Sequence, residues 1–88
     1  MLDLATEKKH LAKADRDIAE GEQRIARQND LIEQMRRHGQ GVVEAEALLE
    51  TLRQTLQAWR NHRREILRVI ARLEGGGSEP AADPAPSS

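Results

Sequence analysis

Cysteine, phenylalanine and tyrosine are absent from this chain, and Trp59 is its one aromatic residue. Lack of cysteine excludes disulfides, thiolate nucleophiles and Cys-ligated zinc. A single ring rules out an ordinary globular core and a base-stacking platform of the kind single-stranded nucleic acids need. Serine first appears at Ser78, and the three prolines, Pro80, Pro84 and Pro86, also lie beyond residue 75. No apolar run approaches a membrane span, and Met1 to Lys8 lacks the basic start and apolar stretch of a secretory signal, so a cytoplasmic location is expected. Neither sign of charge is in excess: 14 basic and 15 acidic residues leave a formal net charge of −1. The chain as a whole therefore has no strong field to draw nucleic acid or an anionic membrane.

What is present is periodic. Leu4, Leu11, Ile18, Ile25 and Ile32 recur every seventh residue, with Ala14, Gly21, Gln28 and Met35 between them. A second run reads Val42, Ala45, Leu49, Leu52, Leu56, Trp59, Arg63, Ile66, Ile70, Leu73. His38-Gly39-Gln40-Gly41 separates the two. Alternating three- and four-residue spacing keeps apolar side chains on one stripe of an α-helix, and two such stripes joined by a short break specify an antiparallel coiled-coil hairpin. The expected fold is all-α, with helix 1 over about 3–37, a turn at 38–41 and helix 2 over about 42–74. Asp3 suits the start of helix 1, Arg36 and Arg37 its negative end, and Gly39 the left-handed residue that closes it. Gly41 is the expected cap of helix 2, with Glu44 and Glu46 in its first turn. Residues 75–88, rich in Gly, Pro, Ser and Ala, have nothing apolar to bury and are expected to be a disordered tail.

With Leu4 and Val42 at the first heptad position, the hairpin sets opposite charges together along one flank: Lys8 with Glu74, Glu22 with Arg60, Arg36 with Glu46. On the other flank it sets Asp17 near His62, Arg24 near Thr55 and Leu31 near Leu48. Inside the seam, Gly21 is expected to face Trp59, the smallest slot against the largest side chain, with Ala14 facing Ile66 and the polar Gln28 opposite Leu52. Arg63 interrupts the apolar run beside Ile18. Its guanidinium is expected to reach Asp17 or Asp15, or else to recognise a partner.

Two surface features qualify as interaction sites. Ala5, Ala12, Ala19 and Ala26 repeat every seven residues beside the seam, where alanine either serves helix propensity or admits a further helix. Arg60, Arg64, Arg68 and Arg72, spaced by four, form a ridge that would track phosphates or an acidic partner, although Asp15, Asp17, Glu20, Glu65 and Glu74 share that end. His10, His38 and His62 are scattered, so no metal-ligand pair is formed, and a coiled coil has no concave site for a substrate. An enzyme and a cofactor are not expected.

The stretch Ile18-Ala19-Glu20-Gly21-Glu22-Gln23-Arg24-Ile25-Ala26-Arg27-Gln28, the glycine turn, and Ala45-Glu46-Ala47-Leu48-Leu49 through Thr55 to His62-Arg63 resemble a group of short uncharacterised bacterial helical-hairpin proteins. The resemblance covers about residues 10–70 and implies a fold and a bacterial source, with no active residues to transfer. The relatives more often carry an Asp-Thr capping pair where this chain has Gly41-Val42. The sequence thus points to a small non-catalytic protein–protein interaction or scaffold module working through helix–helix contacts. Its expected partner is a second copy, giving a homodimer and a four-helix bundle, or another helical protein, because about sixteen half-covered seam residues leave a lone hairpin marginal. The alternative is nucleic-acid or phosphate-surface binding through the arginine ridge.

Overall fold

The structure, a computed structural model, describes residues 3–75 and places them in two helices, α1 over Leu4–Arg37 and α2 over Val43–Gly75. The tail expected from Gly75 onward lies outside the described residues except for Gly75 itself, which is the last residue of α2 rather than the first of the tail.

Local chemistry sets the ends. Asp3 is in extended backbone (φ −141, ψ 158) and caps α1: its Oδ1 accepts from the Thr6 N–H at 2.8 Å and its Oδ2 from the Thr6 hydroxyl at 3.1 Å. These bonds favour the carboxylate, and the Thr6 amide foremost holds Asp3 below its usual value of 3.8. At the other end, Gly39 takes φ +71, a conformation that L side chains rarely adopt. Its N–H donates to the Arg36 carbonyl at 3.1 Å, and the Gln40 N–H reaches back to Met35 at 2.9 Å. This pair of bonds is the Schellman closure, which satisfies carbonyls the helix would otherwise leave bare. His38 adds a contact of 2.8 Å between its Nδ1 and the Gln34 carbonyl oxygen.

The start of α2 departs from expectation by one residue. The Val42 carbonyl accepts the first intrahelical bond, from the Glu46 N–H at 2.8 Å, so Val42 and not Gly41 is the cap. Valine has no side-chain acceptor for the free amides. Half-burial of Val42 on the seam stripe offers a reason for it to stand there.

Three ion pairs fix the helices as antiparallel. Lys8 meets Glu74 at 3.5 Å and Arg60 meets Glu22 at 2.9 Å, and Arg36 bonds Glu46. Successive pairs lie two heptads apart on each helix, so one register runs the length of the hairpin. Buried side chains follow the same stripe: Ala14, Ile66 and Ile70 form a cluster with Leu4 and Leu11 packed on it, and Ile32, Leu49 and Leu56 continue it toward the turn. No side chain among the described residues is below 2% exposed except Ala14, at 1%. A two-helix seam covers each residue from one side only, which explains why Ile18, Ile25 and Leu52 remain half-buried.

Axial stagger differs from the expected one. A Cβ on Gly21 would lie 3.3 Å from Leu56 Cδ1 and 3.9 Å from Leu56 Cβ, with no other side chain of the opposite helix within 4 Å. Gly21 therefore faces Leu56, and the expected slot for the Trp59 indole is corrected. Trp59 lies half-buried beside the seam, with Lys13 Nζ 5.1 Å from its ring centroid and the His62 ring against its edge at 5.7 Å and 67°. Asp17 pairs with Lys13 of its own helix at 2.8 Å. Repeating the Gly21 layer by heptads sets Gln28 level with Leu49, Ala14 with Arg63 and Glu7 with Ile70.

Candidate interaction surfaces

The seam polar residues are all satisfied or nearly so. Gln28 donates its Nε2–H to the Ala45 carbonyl at 2.9 Å, which ties the middle of α1 to the first turn of α2. Arg63 lies half-buried, and its Nε donates to Asp15 Oδ1 at 2.6 Å, the second of the two carboxylates expected for it. This bond engages the guanidinium within the hairpin through its Nε.

Glu7 is the residue that the sequence reading passed over. It occupies the heptad slot between Leu4 and Leu11 and is only 5% exposed, the one buried charged residue among those described. Its nearest basic group is His10 Nδ1, 3.5 Å from Oε1. The signal was present, since a strict seven-residue count from Ala14 lands on Glu7. A carboxylate in such a slot is uncommon, because residues of its type are almost never fully buried without a partner.

The arginine ridge is partly ion-paired. Arg60 is held by Glu22, Arg68 bonds Glu65 on its own helix, and Arg64 bonds Asn61. Of the four, Arg72 alone has no ion-pair or hydrogen-bond partner among the described residues. Carboxylates answer the charges of Arg60 and Arg68, while Asn61 is neutral and leaves that of Arg64 unanswered. Ala5, Ala12, Ala19 and Ala26 are all exposed.

The two flanks of the hairpin differ. One carries the interhelical ion pairs, Arg63 with Asp15 as well as the three above, and, near the turn, a shallow groove with Ile32 and Leu49 at its floor and Arg36, Glu46 and Arg53 at its rim. The other flank has no interhelical ion pair among the described residues. There, Asp17, Glu20, Gly21, Thr55 and Trp59 bound one groove, and Arg27, Gln28, Leu31 and Leu48 bound the next, with Arg24 and Leu52 shared by both. Arg24 with Thr55, and Leu31 with Leu48, thus share this flank as the sequence reading had them. Leu31 is 46% exposed and Leu48 49%, and the two border one groove, so their apolar surface is contiguous. Absence of the Gly21 side chain is what deepens this flank at mid-length.

Among the described residues no group of three His, Asp or Glu side chains is placed to hold a metal ion, and no helix is long and apolar enough to cross a membrane. Comparison of the chain with protein-family models, curated proteins and solved structures finds no match. The resemblance to short bacterial hairpins accordingly rests on the quoted residues alone.

Proposed function

We propose that this chain is a non-catalytic interaction module that binds another helical surface through the ungripped flank of its hairpin. The observation that carries the reading is the exposure of Leu31 and Leu48 beside a seam whose Ile25 and Leu52 are only half covered. A two-helix hairpin leaves apolar surface that a third or fourth helix would remove from water, at about 25 cal/mol per Å². A bacterial source is what the resemblance supports. The nucleic-acid alternative loses ground because Arg60 and Arg68 are already paired with carboxylates.

The test is chemical cross-linking of the tagged full chain in its source cell and in purified form, repeated with Leu31→Glu/Leu48→Glu. Capture of a helical partner or of a second copy that this double variant abolishes supports the module. Retention on duplex DNA that survives physiological salt and falls with Arg68→Ala/Arg72→Ala would overturn it in favour of phosphate binding.

A further inference from the structure

From the charge order on the open flank, we infer that the partner is a second copy of this chain, docked flank to flank about a two-fold axis that crosses α1 near Glu22 and α2 near Thr55. The inference rests on the interaction-module reading and names its occupant.

Asp17, Glu20, Arg24 and Arg27 lie on one stripe of α1, at alternating spacings of three and four, with both acids toward the N-terminus and both bases toward the C-terminus. All four border the flank grooves. Glu20, Arg24 and Arg27 have no ion-pair partner among the described residues, and Asp17 has only Lys13 of its own helix. An antiparallel copy of the same stripe is its complement: rotation about Glu22 brings Glu20 against the partner's Arg24 and Asp17 against the partner's Arg27, each contact occurring twice. A self-complementary patch of this sort is what an isologous dimer requires.

The apolar residues fall into place under the same rotation. Gly21 faces Leu56, so Glu22 is level with Thr55, and the axis through both sets α2 against the α2 of the second copy. At its centre stand Thr51, Thr55 and Ala58, all small and exposed, with the Thr51 hydroxyl already bonded to the Ala47 carbonyl at 3.3 Å. Small side chains allow two helices to approach closely. Toward the ends, Leu31 and Leu48 come level with the partner's Lys13 and the partner's His62, the two residues that frame Trp59. The exposed leucines of each copy thus cover the half-buried indole of the other. With a net charge of only −1 per chain, no general repulsion opposes the pairing.

The experiment is sedimentation equilibrium on the full chain and on two charge-inverted variants, Asp17→Arg/Glu20→Arg and Arg24→Glu/Arg27→Glu. The wild type is expected to be a dimer at about 100 μM, with Trp59 emission shifting to the blue as concentration rises. Either variant alone places like charges opposite one another and should weaken self-association by about tenfold or more, with helicity retained because the substitutions sit on exposed or half-exposed helix positions. An equimolar mixture of the two restores the complement and should form a heterodimer. A monomeric wild type, a dimer indifferent to both inversions, or a mixture that stays monomeric while both components are helical would overturn the proposal. A monomeric chain that still captures a different helical protein through Leu31 and Leu48 would overturn the second copy as occupant and leave the module standing.

Discussion

Glu7→Leu should make this protein more stable, and the size of the gain follows from where Glu7 sits. Its side chain is 7% exposed, in the seam slot level with Ile70, and the one basic group within 4.0 Å of it is a histidine ring nitrogen 3.5 Å away. A leucine in that slot would remove one apolar side chain from water, a gain of roughly 2 kcal/mol. Two losses oppose it. A carboxylate in the first turn of α1 interacts with the positive end of the helix, for about 0.5 kcal/mol, and the contact with His10, which is 55% exposed, contributes about 0.3 kcal/mol after solvent screening. Helix propensity does not decide the matter, because leucine and glutamate rank close together. The balance is a stabilisation of about 1–2 kcal/mol, or roughly 5–10 °C in melting temperature for a domain of this size. Urea and thermal unfolding followed by far-ultraviolet circular dichroism, at one fixed chain concentration, would measure it. Glu7→Gln is the control: it keeps the shape, lacks the apolar gain, and should stay within about 0.5 kcal/mol of wild type. A Glu7→Leu variant less stable than wild type would refute the reasoning and show that the carboxylate has a stronger partner than His10. Equal gains from leucine and glutamine would instead assign the effect to charge alone and not to the seam.

Three further outcomes are expected. Because a Cβ on Gly21 would stand 3.9 Å from Leu56 Cβ, the double variant Gly21→Cys/Leu56→Cys should form an intramolecular disulfide under mild oxidation, detected by mass and by gel mobility; Gly21→Cys/Trp59→Cys should not, and the reverse result would restore the other stagger. Gly39→Ala forces a Cβ into φ +71 and should cost about 1–2 kcal/mol in chemical unfolding, whereas Gly41→Ala, whose φ is not positive and whose Cβ would meet open space, should be near neutral; equal effects would argue against the Schellman closure. The Asp3 carboxyl is held below 3.8 by the Thr6 amide, so the stabilisation of the first turn is complete above the unfolded value and lost as pH falls through the lower folded value. Amide exchange at Thr6 should therefore accelerate below about pH 4 in wild type, after the intrinsic pH dependence is removed, and show no such step in Asp3→Ala.

Sequence alone determined the helices, their antiparallel arrangement and the ion-paired flank, because these depend on period and sign. Seven-residue repeats fix which stripe of each helix is apolar, and a glycine in a short break permits only a tight return. Lys8, Arg36 and Arg60 found their expected acids although the stagger differed from the expected one, because long side chains reach across a register error of a few residues. Among contacts between short groups, Ala14 clusters with Ile66 as expected, whereas others differ. Gly21 meets Leu56 and not Trp59, Asp17 stays with Lys13, and Arg63 selects Asp15 over Asp17. Only the tertiary structure decided these, because the stagger is set by how the Schellman turn hands the chain from Gln40 to Val42, a geometry that no count of heptads contains. The burial of Glu7 was decided in the same way. A glutamate reads as surface until a second helix covers it, and what remains uncovered on the far flank, with Leu31 and Leu48 exposed, is where the chain has surface left to offer a partner.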